Sequence, residues 1–163
     1  PRVIRNNIIS LILIVAIFLV DRLTKIYILN LSEGGVEVDF YIFSFLNIYL
    51  VWNTGIGFGF FSVEPNLFYH FITFLIIVIN FILIYLLIKS STKKSFLFTL
   101  ILGGSLGNMY DRLYYFAVPD FIDFHLGDFH WFIFNVADIF ITIGIIGLII
   151  FELFGLNFNE QKN

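Results

Sequence analysis

Long apolar blocks alternate with short polar or glycine-rich interruptions along this chain, and four blocks are long enough to cross a bilayer. At about 1.5 Å per helical residue, each covers the roughly 30 Å of a hydrocarbon core. The pattern predicts spans over about 7–29, 67–88, 96–112 and 135–154. The second is almost pure Phe, Ile and Leu, whereas the third ends in Gly103-Gly104-Ser105-Leu106-Gly107-Asn108. Between spans the period changes. Residues 34–62 alternate through Val36, Val38, Phe40, Ile42, Ile48, Leu50 and Trp52, a strand pattern punctuated by Gly34, Gly35, Gly55, Gly57 and Gly59. Residues 113–134 read the same way, with Pro119 and Gly127 breaking any helix. Strands cannot lie in lipid with open edges. The expected fold is therefore an all-α transmembrane bundle of four helices with a small β-sheet resting on its outer surface, in one domain over 1–163.

Composition agrees with that reading. Hydrophobic residues make up 60% and charged residues 13% of the chain, about half the charge of a soluble protein. A net charge of −3 without a basic stripe gives no reason to expect nucleic-acid binding. The absence of cysteine excludes disulfides, thiol catalysis and cysteine-ligated metal. The first apolar block lacks a small-residue cleavage site and continues into Asp21-Arg22-Leu23-Thr24-Lys25, so it is expected to be a retained span.

Charge sidedness sets the expected orientation. Four spans place both termini and the 89–95 loop together, with Arg2, Arg5, Lys89, Lys93, Lys94 and Lys162; the other side has only Arg22, Lys25 and Arg112. The positive-inside rule makes the first side cytoplasmic. Nearly all the acid, including Asp21, Asp111, Asp120, Asp123, Asp128 and Asp138, then collects at the outer side, where chemistry is to be sought.

Several of these polar groups need an explanation. Asn135 and Asp138 have the spacing of a helix N-cap and its acidic partner, a role that also fixes a carboxylate rigidly at the membrane boundary. Asp123 sits among bulky apolar neighbours in the alternation Phe121, Asp123, His125. Two carboxylates brought together there would share a proton, one serving as base toward water and the other as acid. Spacing leaves the pair open: Asp123 with Asp138 is one candidate, and Asp120 and Asp128 compete but read as loop surface. His125 and His130 raise a metal site, but the His-x4-His spacing on a loop lacks the helical geometry of a metalloprotease, and no metal or other cofactor is expected. His70 reads as an interfacial residue. Gly103 to Gly107 spell a G-x-S-x-G nucleophile elbow, but inside a span small residues serve close helix packing. Asp21 with Lys25, and Asn108 with Arg112, are i,i+4 pairs at the same level as Asn53-Thr54-Gly55. Such groups suit orienting a dyad, holding a peptide backbone or stabilising an oxyanion.

Five blocks taken in order resemble the lipoprotein signal peptidases, the bacterial type II signal peptidases. They are Asp21-Arg22-Leu23-Thr24-Lys25, Asn53-Thr54-Gly55-Ile56-Gly57-Phe58, Gly103 to Arg112, Phe121-Ile122-Asp123-Phe124 and Phe134-Asn135-Val136-Ala137-Asp138. The resemblance covers nearly the whole chain. It implies a membrane aspartyl endopeptidase with an extracytoplasmic β-cradle, multi-pass in the bacterial cytoplasmic (inner) membrane. The active site would lie at the extracytoplasmic face and use no cofactor. It implies cleavage of diacylglyceryl-modified prolipoproteins just before the lipidated cysteine, in contact with membrane lipids. By motif match it makes Asp123 and Asp138 the catalytic dyad, surrounded by Asp21, Lys25, Asn53, Gly55, Gly107, Asn108, Asp111, Arg112 and Asn135. Gly57 stands where the second block usually has alanine, and the stretch between the two aspartates is short for the family. The competing expectation is a non-enzymatic transporter subunit or lipid-binding scaffold whose outer acids hold cations.

Overall fold

The computed structural model describes residues 2–55, 67–90 and 92–154. It contains four helices and four strands: α1 (Arg2–Glu33), β1 (Asp39–Phe43), β2 (Leu46–Asn53), α2 (Leu67–Lys89), α3 (Thr92–Tyr114), β3 (Val118–Leu126), β4 (Phe129–Phe134) and α4 (Val136–Leu153). The strands form one antiparallel sheet in the order β1-β2-β3-β4. The expected strand regions are thus borne out, except that 56–62 and with it Gly57 lie outside the described residues.

Three helical segments are long and apolar enough to cross a membrane: Asn7–Glu33, Leu67–Lys89 and Val136–Leu153. The third expected span forms α3 but is not apolar enough to stand with them. The reason is its position. α3 packs against α1, α2 and α4, so polar residues that lipid would reject are buried here inside protein: Ser95, Thr99, Asp111 and Arg112. Thr99 donates to the Ser95 carbonyl one turn earlier at 2.8 Å, which satisfies its hydroxyl within the helix. The glycines of α3 make the close contacts. A Cβ on Gly104 would strike the Ala137 carbonyl of α4, and one on Gly107 would strike the Asp21 carboxylate of α1. The G-x-S-x-G letters therefore mark a helix crossing in mid-helix rather than a strand-to-helix elbow.

Two apolar clusters hold the layers. Leu83, Leu87, Ile101 and Leu102 join α2 to α3, with Ile141 and Leu148 of α4 packed against them. Ile28 near the end of α1, Val38 and Phe121 of β3 form the second, which fastens the sheet to the bundle. The second cluster lies at the end of the molecule where the buried charges gather.

Candidate active site

β3 organises this end, and its two aspartates take different environments. A strand's side chains alternate with period two, so residues three apart point to opposite faces. Asp120 and Asp123 are both 2% exposed, but on opposite sides. Asp120 turns to the helices and lines a cavity of about 440 Å³ together with Asn53, Ser105, Asn108, Arg112 and Asp138. The sequence reading paired Asp123 with Asp138 and placed Asp120 on the loop surface. Asp120 is buried instead of lying on the surface; Asp138 shares its cavity with Asp120, while both oxygens of Asp123 lie 2.8 and 2.9 Å from His130 Nδ1. Asp128 is exposed, as expected of the hairpin turn.

Asn135 couples the two cavity carboxylates. Its Nδ2 donates to Asp120 Oδ1 at 2.6 Å, and its backbone N–H donates to Asp138 Oδ2 at 3.1 Å. Its Oδ1 in turn accepts from the Asp138 N–H at 3.2 Å, completing a capping box at the start of α4. The expected cap is thus present, and the same residue also holds the second acid. Asn53, paired with Val118 one strand over, reaches diagonally to donate from Nδ2 to Asp120 Oδ2 at 2.9 Å. Its Oδ1 accepts from the Gly55 N–H at 2.9 Å, which fixes the amide orientation. Asp120 is pushed up to about 7, by burial first and by the neighbouring Asp138 charge second. A carboxyl that close to neutrality is suited to proton transfer at physiological pH.

Behind Asp138 lies a charge network shared by α1 and α3. Lys25 Nζ donates to Asp21 Oδ2 at 2.8 Å, to Asp111 Oδ2 at 2.7 Å and to Asn108 Oδ1 at 2.8 Å. Arg22 lies 2.5 Å from Asp111 Oδ1. Asp21, Lys25 and Asp111 have no exposed surface at all, so removing one would strand its partners in a dry interior, a loss of about 3–5 kcal/mol. The expectation of Asp21 and Lys25 as a mutually neutralising i,i+4 pair is incomplete, since Asn108 and Asp111 come from 83 and 86 residues away. One consequence reaches the cavity. Because Asn108 Oδ1 is committed to the lysine, its Nδ2 faces forward and donates to Asp138 Oδ1 at 2.9 Å. Asp21 Oδ1 also accepts from the Ala137 N–H at 3.1 Å, anchoring the first turn of α4.

Arg112 closes the cavity wall. One guanidinium nitrogen donates to the Gly55 carbonyl, and the group stacks 5.5 Å from the Tyr69 ring. The Tyr69 hydroxyl donates to the Arg112 carbonyl at 2.9 Å. Arg112 Nη1 is buried without a hydrogen-bond partner. The cavity thus offers two coupled carboxyls, a free donor, and apolar walls of Ile76, Ile79, Leu83, Ile141 and Ile145. Such a site can activate a water, protonate a leaving group and seat an apolar chain.

Every supporting residue expected from the sequence lies in this cavity or in the network behind it, and Asp120, expected on the surface, joins them there. Strand parity was the available signal. It permits only one of Asp120 and Asp123 to line the cavity beside Asp138, and the histidines at 125 and 130 supply partners for the other.

Comparison with known proteins agrees with this architecture. The family model described as "Signal peptidase (SPase) II" matches residues 13–154. The lipoprotein signal peptidase of Pelagibacter ubique (strain HTCC1062) is 50% identical over 158 residues, covering 97% of this chain and 93% of that protein. The lipoprotein signal peptidase of Anaplasma phagocytophilum (strain HZ) is 39% identical over 150 residues, covering 91% and 94%. A solved structure described as a bacterial membrane enzyme superposes with a TM-score of 0.75 at 30% identity, covering 94% of this chain and 93% of that one. The chain belongs to the signal peptidase II family and is a peptidase.

Proposed function

We propose that this chain is a four-span aspartyl endopeptidase that removes signal peptides from diacylglyceryl-modified prolipoproteins, with Asp120 and Asp138 as its dyad. The observation that carries the assignment is Asn135, whose side chain and backbone N–H bind one carboxylate each. Near neutral pH the pair holds one proton between them. The ionised member takes a proton from water as it attacks the scissile carbonyl, and the protonated member donates to the departing amine. Arg112, which lines the cavity, supplies positive charge toward the developing oxyanion. Asp123 stands outside this chemistry, as part of the opposite face of the sheet.

The substrate reading follows from the surroundings. With α3 as a fourth crossing sheathed by three apolar helices, both termini share one side; the lysines and arginines there support reading it as cytoplasmic, with the sheet at the extracytoplasmic face of the inner membrane. A lipidated substrate diffusing in the outer leaflet would bring its cleavage site to the level of the sheet. Its acyl chains find apolar wall in the cavity, each buried CH₂ contributing about 0.8 kcal/mol.

The test is a gel-shift cleavage assay on purified protein with a prolipoprotein prepared with and without its diacylglyceryl group. Cleavage of the lipidated form alone is expected, with Asp138→Asn reducing turnover by roughly 10³-fold or more while the protein still inserts. Equal cleavage of the unlipidated form would remove the lipid from recognition, and an active Asp138→Asn enzyme would remove the dyad.

A further inference from the structure

The face of the sheet turned away from the cavity carries a second cluster: Asp123, His125 and His130. One donor atom from each lies within 4.8 Å of the others. We propose that these three side chains form a binding site for a divalent transition metal ion, separate from the dyad, that clamps the β3–β4 hairpin.

Sheet register explains how the three converge. Asp123 and His125 share a face by the strand's period of two. Across the ladder Asp123 pairs with Ile133 and Phe124 with Phe132, but His125 pairs with His130 instead of Trp131. Trp131 is therefore the extra residue of a β-bulge, and such an insertion reverses the facing of everything beyond it. Without it His130 would point to the other side. With it, the two imidazoles stack with centroids 5.0 Å apart, and His130 Nδ1 sits 2.8 Å from Asp123 Oδ2. The His125 N–H donates to the Phe45 carbonyl at 3.1 Å, which ties this residue to the strand beyond.

A hydrogen bond between Asp123 and His130 does not by itself account for the cluster. His125 is 8% exposed, and its Nδ1 is buried with no hydrogen-bond partner. That nitrogen aims at the same carboxylate, 3.8 Å from Asp123 Oδ2. Directly across from Asp123 on β2 stands Asn47, whose Oδ1 is likewise buried without a partner. An unpaired buried nitrogen costs free energy, and a cation held by His125 Nδ1 and Asp123 would satisfy it. Two imidazoles and a carboxylate are the donor set of zinc and its first-row neighbours rather than of calcium or magnesium. His130, 53% exposed at its side chain, provides the solvent-side approach and leaves room for a water as fourth ligand.

The experiment uses the full chain in detergent, carrying no polyhistidine tag and stripped with EDTA. It is titrated with ZnCl₂ by calorimetry and with CoCl₂ by visible absorption. One zinc per chain is expected, together with a cobalt d–d band and a rise in thermal midpoint on zinc addition; MgCl₂ should give none of these. His130→Ala and His125→Gln should each weaken zinc by at least about tenfold. His130→Ala alters an exposed side chain remote from the cavity, so unchanged cleavage by the metal-free variant verifies its fold. Absence of zinc binding by the wild type would overturn the proposal. So would zinc binding of undiminished affinity in the His125→Gln/His130→Ala double variant.

Discussion

The two faces of β3 hold one buried aspartate each, equal in exposure and different in company. Asp120 meets two neutral side-chain amides, from Asn53 and Asn135, and a second carboxylate, Asp138, in the same cavity. Asp123 meets two histidines and no second acid among its described partners. Burial alone therefore says nothing about a carboxylate's task. A like charge nearby drives one toward shared protonation, whereas imidazoles offer the other a partner that can neutralise it. The same alternation that makes a sheet two-sided gives this one two chemistries three residues apart.

Substitutions that separate the faces should differ in kind. Short of replacing a dyad member, the largest effect is expected for Asn135→Ala, which removes the amide from Asp120 and the N-cap from α4. Cleavage should fall by roughly 10–100-fold, with a stability loss of about 1 kcal/mol from the cap. Asn135→Ser, which keeps a neutral cap oxygen and lacks the amide donor, should recover the stability and not the rate. Thermal melting beside initial-rate kinetics separates the two.

The next effect is a pH dependence belonging to the Asp120 face alone. With its carboxyl pushed up to about 7, Asp120 carries its proton below that pH and loses it above, so cleavage should decline on the alkaline side of neutrality. Stability carries the same sign. The folded state binds the proton more tightly than the unfolded chain, so folding free energy weakens as pH rises from about 4 toward 7. Melting curves across that range should be flatter for Asp120→Asn. A rate that climbs steadily from pH 6 to 9 would remove Asp120 as the proton holder.

The smallest kinetic effect is expected on the other face. Asp123→Asn should leave cleavage within about twofold while costing about 1 kcal/mol of stability, since it weakens a half-exposed pairing with His130. Differential scanning calorimetry against the cleavage rate checks both halves.

The membrane-spanning blocks, the strands and the Asn135–Asp138 cap were legible in the sequence because each is a local pattern. Apolar length, alternation and a three-residue spacing carry them. What was not legible depends on contacts across the chain. The choice between Asp120 and Asp123 needs the side of the sheet that faces the helices, which parity alone leaves open. Lys25 looked complete with Asp21 four residues away, and its bonds to Asn108 and Asp111 exist only because a glycine at 107 lets α1 and α3 touch. The polarity of α3 likewise counts against a span until its three neighbours are in place. The bulge at Trp131 has no local signal in the residues around it, and it alone carries His130 across the sheet.

The most direct test of the dyad is a head-to-head cleavage assay of Asp120→Asn and Asp123→Asn against wild type, on one lipidated prolipoprotein, with folding confirmed by melting. The Asp120–Asp138 assignment expects turnover to fall by roughly 10³-fold or more in Asp120→Asn and to persist in Asp123→Asn. Persistent turnover in Asp120→Asn with loss in a folded Asp123→Asn would contradict it and move the catalytic acid to the other face of the strand.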